Sequence, residues 1–183
     1  DASYHGLVYT DLPFPAFNLR IRLALLRDIG ATPSPFNSWS LIQSIETLSL
    51  RIEKHSSNTQ KVAEYLESKS EVSNLNYPGL KSNKYHDLAQ KYFKDGLCSG
   101  LLSFEVADKD TAWKILDNTN IFSIVVNIGD SKSIITHPSS TTHQQIPLDE
   151  QKEIGITEGL VRLSIGLEDA SDLIADLETA FNA

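Results

Sequence analysis

A chain of 183 residues is long enough for a core of its own, since a domain of about 150 residues buries roughly two-thirds of its unfolded surface. Its hydrophobic fraction of 40% and charged fraction of 22% call for no disulfide or metal staple. Sixteen basic residues against 24 acidic ones give a net charge of −8 with no basic cluster, which argues against a nucleic-acid partner, and no stretch approaches the roughly 18 apolar residues of a membrane span.

The single cysteine, Cys98, has no intramolecular partner and no apolar signal segment opens the chain, so a reducing, cytoplasmic setting is expected. The chain begins with Asp1 and contains no methionine. Residues 3–15, SYHGLVYTDLPFP, have little periodicity and read as the continuation of something that precedes them.

From Ala16 to Gly30, Leu19, Leu23 and Leu26 fall at helical spacing with Arg20, Arg22 and Arg27 between them, which predicts an amphipathic helix stopped by the glycine. Thr32-Pro33-Ser34-Pro35 is a rigid connection suited to a domain junction. Over Ser38–Leu66, Leu41, Ile45, Leu48, Ile52, His55, Thr59, Val62 and Leu66 alternate steps of four and three, which predicts one long helix with a bend or a wetter contact at its polar members His55 and Thr59.

The pattern then changes to short strands, predicted over Val72–Tyr77, Leu101–Val106, Phe122–Ile128, Ser133–His137 and Leu160–Gly166. Helices are predicted at Ser82–Phe93, Asp108–Asn118, Leu148–Ile154 and Asp169–Asn182, the last N-capped by Asp169 with Ala170, Leu173, Leu177 and Ala180 inward. The expected architecture is α+β: a small, mostly antiparallel sheet covered by helices on one face and preceded by a long helix.

Strict alternation in the last strand puts Val161, Leu163 and Ile165 on one face and Arg162 with Ser164 on the other. A strand-borne guanidinium offers a planar fork for a carboxylate; from spacing alone, a surface arginine in a weak ion pair prevails. Asn127-Ile128-Gly129-Asp130-Ser131-Lys132-Ser133 lacks phosphate-loop spacing and reads as a tight turn between strands. His137-Pro138-Ser139-Ser140-Thr141-Thr142-His143 gathers two histidines and four hydroxyls but has neither zinc-ligand nor nucleophile-elbow spacing, so its histidines read as hydrogen-bonded packing residues. Cys98 has no close basic neighbour and reads as structural.

Taken together, YHGLVY at Tyr4, LLRDIG at Leu25, SPFNS at Ser34, ETLSLRIEKH at Glu46, NYPGL at Asn76, LLSFEV at Leu101, VNIGDSKSIITHPSSTTHQQ at Val126, VRLSIGLED at Val161 and DLIADLETAF at Asp172 resemble the Cys/Met-metabolism family of pyridoxal-phosphate enzymes. The NxGDxKS and HPxSTTHxQ strings resemble its acetylhomoserine sulfhydrylase branch. The resemblance spans nearly the whole chain but less than half of a full member, and it implies the C-terminal small domain of a fold-type I enzyme. Residues 1–33 would then end the large cofactor domain and connecting helix, and 34–183 would form the small domain.

The family resemblance further implies a missing N-terminal large domain, a homo-oligomeric intact enzyme, and pyridoxal phosphate held by a Schiff-base lysine that no motif of this chain supplies. The chain alone is therefore expected to bind no cofactor and to contain no catalytic residue. Carried over position by position, Arg162 is expected to bind the α-carboxylate of a small amino-acid substrate, Asn127 to border that carboxylate and the cofactor, and Thr142 to place a hydroxyl near the same pocket. The implied reaction is γ-replacement of acetate by sulfide or a thiol. A C–S lyase of the same family and a non-catalytic binding module are the alternatives. One departure stands out: where the family has a Gly-Gly pair before the LSF strand, this chain has Cys98-Ser99-Gly100.

Overall fold

The computed structural model describes residues 1–183, the side chain of Ser3 apart. Two units divide the chain, Asp1–Glu46 and Thr47–Ala183. In the first, the leucine-spaced segment forms α1 (Ala16–Arg20), a π-helical stretch (Ile21–Leu26) and α2 (Arg27–Ile29). It stops at Gly30, which takes φ 69°, a left-handed conformation that costs glycine little. Two arginines of this segment meet the irregular opening residues: Arg20 meets Asp1 at 3.4 Å and Arg27 donates to the Tyr4 hydroxyl at 2.7 Å. The proline connection leads into α3 (Pro35–Glu46), where Ser34 Oγ accepts the Asn37 amide at 3.1 Å as a helix cap does.

In the second unit, α4 (Leu48–Glu67) begins after Thr47, whose φ of −103° and ψ of 4° leave the helical region. The expected long helix is thus broken before Leu48, and no bend interrupts it at His55 and Thr59. Both of those residues are buried and satisfied. Thr59 Oγ1 donates to the His55 carbonyl one turn back, and His55 Nδ1 donates to the Ile165 carbonyl at 2.6 Å. A polar residue in a helical stripe therefore marks a buried backbone contact here instead of a wet one.

Five strands follow, with helices between them: β1 (Ser73–Asn76), α5 (His86–Tyr92), β2 (Leu101–Glu105), α6 (Lys109–Asn118), β3 (Ser123–Ile124), β4 (Ile134–Thr136), α7 (Leu148–Glu153), β5 (Leu160–Ser164) and α8 (Ala170–Asn182). The sheet order is β1-β2-β5-β4-β3, antiparallel except for the β3–β4 pair. Helices α4, α6 and α8 cover one face, where Val62, Leu66, Leu116, Leu173 and Leu177 pack against Leu102, Phe104, Ile135, Val161, Leu163 and Ile165. The α+β reading and the inward face of α8 are both borne out. Asp108 and Asp169 cap α6 and α8, each accepting a backbone amide at 2.8 Å.

Two elements are shorter than their composition predicts. Helix α5 begins at His86 because Asn83 Oδ1 takes the Tyr85 amide at 2.9 Å, a local side-chain turn that competes with the first helical turn. The β-branched run after Phe122 supplies only the two residues of β3. Beyond them Thr136 Oγ1 donates to the Val125 carbonyl at 2.9 Å, and the chain leaves the sheet as a loop.

Ahead of β2, Ser99 takes φ 81°, a conformation natural to glycine and strained for serine. Its carbonyl accepts the buried Tyr77 hydroxyl at 3.2 Å, and neighbouring Gly100 lies against His55, where an added Cβ would come within 3.1 Å of the His55 Cβ. Packing on both sides therefore holds the strained residue in place. Ser99→Gly is expected to stabilise the chain by about 0.5–1 kcal/mol, read from the urea midpoint.

At the α4–α8 contact, Glu178 accepts from Lys69 Nζ and from the Tyr65 hydroxyl, both at 2.5 Å. Lys69, Tyr65 and Asn182 hold its carboxyl at about 2, well below the usual range, while burial and then Glu178 push the Tyr65 hydroxyl up to about 12. A lowered carboxyl stabilises the fold above its unfolded value of 4.5 and loses that contribution as pH falls towards about 2. Denaturant midpoints taken across that window should decline less steeply in Glu178→Gln than in the parent chain.

Candidate active-site face

On the side of the sheet opposite the helices, directly paired residues share a face, so the register gathers a second set of side chains. Arg162 lies between Ser103 on β2 and Thr136 on β4, and Ser164 lies between Leu101 and Ile134. The alternation expected from the sequence is therefore present: Val161, Leu163 and Ile165 are fully buried in the core, and Arg162 points the other way, half-buried.

There Arg162 lines a cavity of about 270 Å³ with Asn76, Ser103, His143 and a set of apolar side chains that includes Pro78, Leu101 and Pro138. Arg162 Nη2 is shielded from water and has no hydrogen-bond partner among the described residues, and the ion pairs Arg20–Asp1 and Lys69–Glu178 do not involve this side chain. A guanidinium nitrogen shielded in this way and left unpaired is costly, and an anion delivered into the cavity would remove that cost. The weak surface ion pair that spacing alone suggested is not formed.

Asn127 sits on the loop between β3 and β4. These strands run parallel, so Gly129 and Asp130 do not close a hairpin; the loop crosses the same sheet face before returning to β4. Gly129, at φ 75°, turns the chain so that its amide donates to Ser164 Oγ at 3.1 Å, two residues along β5 from Arg162. Asp130 Oδ1 takes the Lys132 amide at 3.1 Å, which lowers the Asp130 carboxyl from its ordinary value. The side chain of Asn127 is exposed and turned on its own loop, Oδ1 accepting the Ile128 amide at 2.9 Å and Nδ2 donating to Asp130 at 3.4 Å.

Gly166 closes the return of this loop. A Cβ on Gly166 would lie 2.5 Å from the Ser131 carbonyl oxygen and 2.6 Å from the Lys132 carbonyl carbon. That close approach lets Leu167 donate to the Ser131 carbonyl at 2.9 Å, while Ser133 donates to Glu168 through its amide at 2.7 Å and its hydroxyl at 2.8 Å. Asn58 of α4 donates to the carbonyls of Gly166 and Glu168 at 3.0 and 2.7 Å. The turn after β5 is thereby tied to the helix layer beneath and to the crossing loop above.

The second histidine string divides in two. His137 is fully buried; its Nε2 donates to the Glu158 carbonyl and its Nδ1 accepts from Ser140 Oγ, both at 2.7 Å, with Trp113 Nε1 donating to Ser140 at 3.2 Å. It is the packing residue that the sequence led us to expect. His143 is different, because it is among the residues that line the Arg162 cavity. Thr142 is exposed and does not line that cavity, but its Oγ1 lies 2.7 Å from His143 Nδ1. Cys98 is buried, and burial pushes its thiol up, as befits a structural cysteine.

Of the three residues expected at the site, only Arg162 lines the cavity. Asn127 lies on the loop whose Gly129 amide meets Ser164, two residues along β5 from Arg162, and Thr142 meets the lining residue His143. Sequence reading missed Ser103 and Asn76, which become visible only when strand pairing shows what stands beside Arg162. Gly166→Ala is expected to destabilise the chain by about 1–3 kcal/mol and to speed amide exchange at Ser133 and Leu167, measured by denaturation and by hydrogen exchange.

The Cys/Met metabolism PLP-dependent enzyme family matches residues 5–182. The chain is 45% identical to an O-acetyl-L-homoserine sulfhydrylase of Leptospira meyeri over 98% of its length and 43% of that protein's. It is 45% identical to the O-acetyl-L-homoserine sulfhydrylase of Corynebacterium glutamicum, over 100% of this chain and 42% of the relative. The crystal structure of a putative O-acetylhomoserine (thiol)-lyase from Campylobacter jejuni, carrying N'-pyridoxyl-lysine-5'-monophosphate, superposes with a TM-score of 0.91 at 50% identity, covering 100% of this chain and 44% of that one. The chain thus spans less than half the length of these relatives.

Proposed function

The chain belongs to the Cys/Met metabolism PLP-dependent enzyme family, and from that premise we propose that it forms the substrate-carboxylate side of the active site of an O-acetylhomoserine sulfhydrylase. The intact enzyme would replace the acetate of O-acetylhomoserine by sulfide or a thiol, giving homocysteine or methionine. The observation that carries this reading is the unpartnered Arg162 Nη2, shielded in a cavity on the sheet face away from the core.

Arg162 binds and orients. A carboxylate gripped by its fork gains charge-assisted bonds of about 1.5–3 kcal/mol each, more where water is excluded. Anchoring the substrate at that end fixes the bond to be broken relative to the reacting centre, and such positioning lowers a barrier without any proton transfer by the arginine. Asn127, on the loop tied to Ser164, borders the carboxylate, and Thr142 supports the pocket through its bond to His143.

Pyridoxal phosphate, when bound, supplies the electron sink for this chemistry. No lysine lines the Arg162 cavity among the described residues, so this chain's residues fit the amino-acid end of the complex and not the cofactor's anchor. We assign that anchor to the remaining, larger part of the protein. Residues 1–33 would join that part and residues 34–183 would form the small domain, in a homo-oligomeric enzyme of the cytoplasm. No helix of the chain is long and apolar enough to cross a membrane.

In the full-length enzyme, Arg162→Ala is expected to raise KM for O-acetylhomoserine by about 10²-fold, the loss of one or two charge-assisted bonds. Steady-state kinetics with varied O-acetylhomoserine tests this, and an unchanged KM removes Arg162 from the site.

A further inference from the structure

We propose that the Ser103 hydroxyl is a second donor to the substrate carboxylate, taking one of its oxygens while Arg162 takes the other. The proposal rests on the sulfhydrylase reading above and assigns a further residue to the specificity of that same site.

The strand fixes the direction of the Ser103 side chain. Leu102 and Phe104 of β2 are buried in the helix-covered core, so Ser103 between them emerges on the opposite face, as Arg162 does between Val161 and Leu163. Strand register then sets the two side by side. Ser103 is the direct antiparallel partner of Arg162, which places their Cβ atoms about 4.5–5.5 Å apart. Serine has one heavy atom beyond Cβ, so the hydroxyl is the group that it carries to that face, where both residues line the same cavity.

The two neighbours of Arg162 differ in what they have left to donate. Thr136, its partner on β4, gives its hydroxyl hydrogen to the Val125 carbonyl at 2.9 Å and so holds the crossing loop. Ser103 Oγ has no hydrogen-bond partner among the described residues, and Nη2 of its paired arginine has none either. One cross-strand pair therefore offers a neutral donor and a cationic one. A carboxylate matches it, with two acceptor oxygens and a charge that answers the guanidinium.

The size of the side chain points the same way. Serine is a weaker strand former than valine, isoleucine or threonine, yet it stands at the middle of β2, a strand paired on both sides. A valine or leucine there would fill the space beside the guanidinium, and serine leaves it open. Leu101, Ile156 and Leu160 form an apolar part of the wall, which lowers the local dielectric and strengthens a charge-assisted bond made within it.

The test uses the full-length holoenzyme and two competitive inhibitors, L-norvaline and butylamine, the second being the first without its carboxylate. Ser103→Ala and Ser103→Cys each remove the hydroxyl donor. Both should raise KM for O-acetylhomoserine and the inhibition constant of norvaline by about tenfold, the loss of one hydrogen bond to a charged group, with kcat little changed. Inhibition by butylamine should be the same in wild type and in both variants, whereas a purely structural role for Ser103 would weaken both inhibitors alike. An unchanged norvaline constant in both variants, or equal losses for norvaline and butylamine, overturns the proposal. Wild-type enzyme that does not turn over O-acetylhomoserine overturns the sulfhydrylase reading along with it. Active wild type in which Arg162→Ala raises KM and the two Ser103 variants do not overturns the role of Ser103 alone.

Discussion

Alternation along β5 is the constraint on which the rest depends. Because successive side chains of a strand point to opposite faces, burying Val161 and Leu163 under the helices obliges Arg162 to emerge on the other side. A slip of one residue would exchange the two sets, placing a guanidinium in the core and a leucine in the cavity. The hydrophobic energy of the core therefore also fixes the aim of the arginine, and the pairing of β5 with β2 and β4 fixes its neighbours.

A second layer of control comes from the turn after β5. Ile165, Gly166 and Glu168 offer carbonyls to His55 and Asn58 from α4, while the Glu168 carboxylate accepts from Ser133 of the crossing loop and the Gly166 amide donates to the Ser133 hydroxyl. Helix, strand and loop share one hydrogen-bonded junction. The loop that carries Asn127 is thus held by backbone contacts instead of by its own apolar side chains, several of which, including Val125, Val126 and Ile128, are exposed.

The sequence made the regular features legible because they follow from short-range periodicity. The strands β2 and β5, the capped helices α6 and α8, and the outward face of Arg162 are all local consequences of alternation or of an aspartate at the right place. What escaped it depends on partners distant in the chain. His55 looks like a flaw in an apolar stripe until Ile165, 110 residues away, is seen to need a donor. The run after Phe122 has strand composition, yet Thr136 draws Val125 out of the ladder. His137 and His143 belong to one string of similar residues, and only the placement of Glu158 and of the cavity separates a packing histidine from one that lines the cavity.

The unpaired guanidinium also bears on how firmly the molecule holds together. A guanidinium nitrogen kept from water without a partner draws on the free energy of folding, and any carboxylate that settles beside it returns part of that loss by mass action, as RT ln(1 + [L]/Kd). If a carboxylate ligand binds there, its concentration and the thermal endurance of the chain are coupled through this one side chain, and the saturated form unfolds at a higher temperature than the bare one.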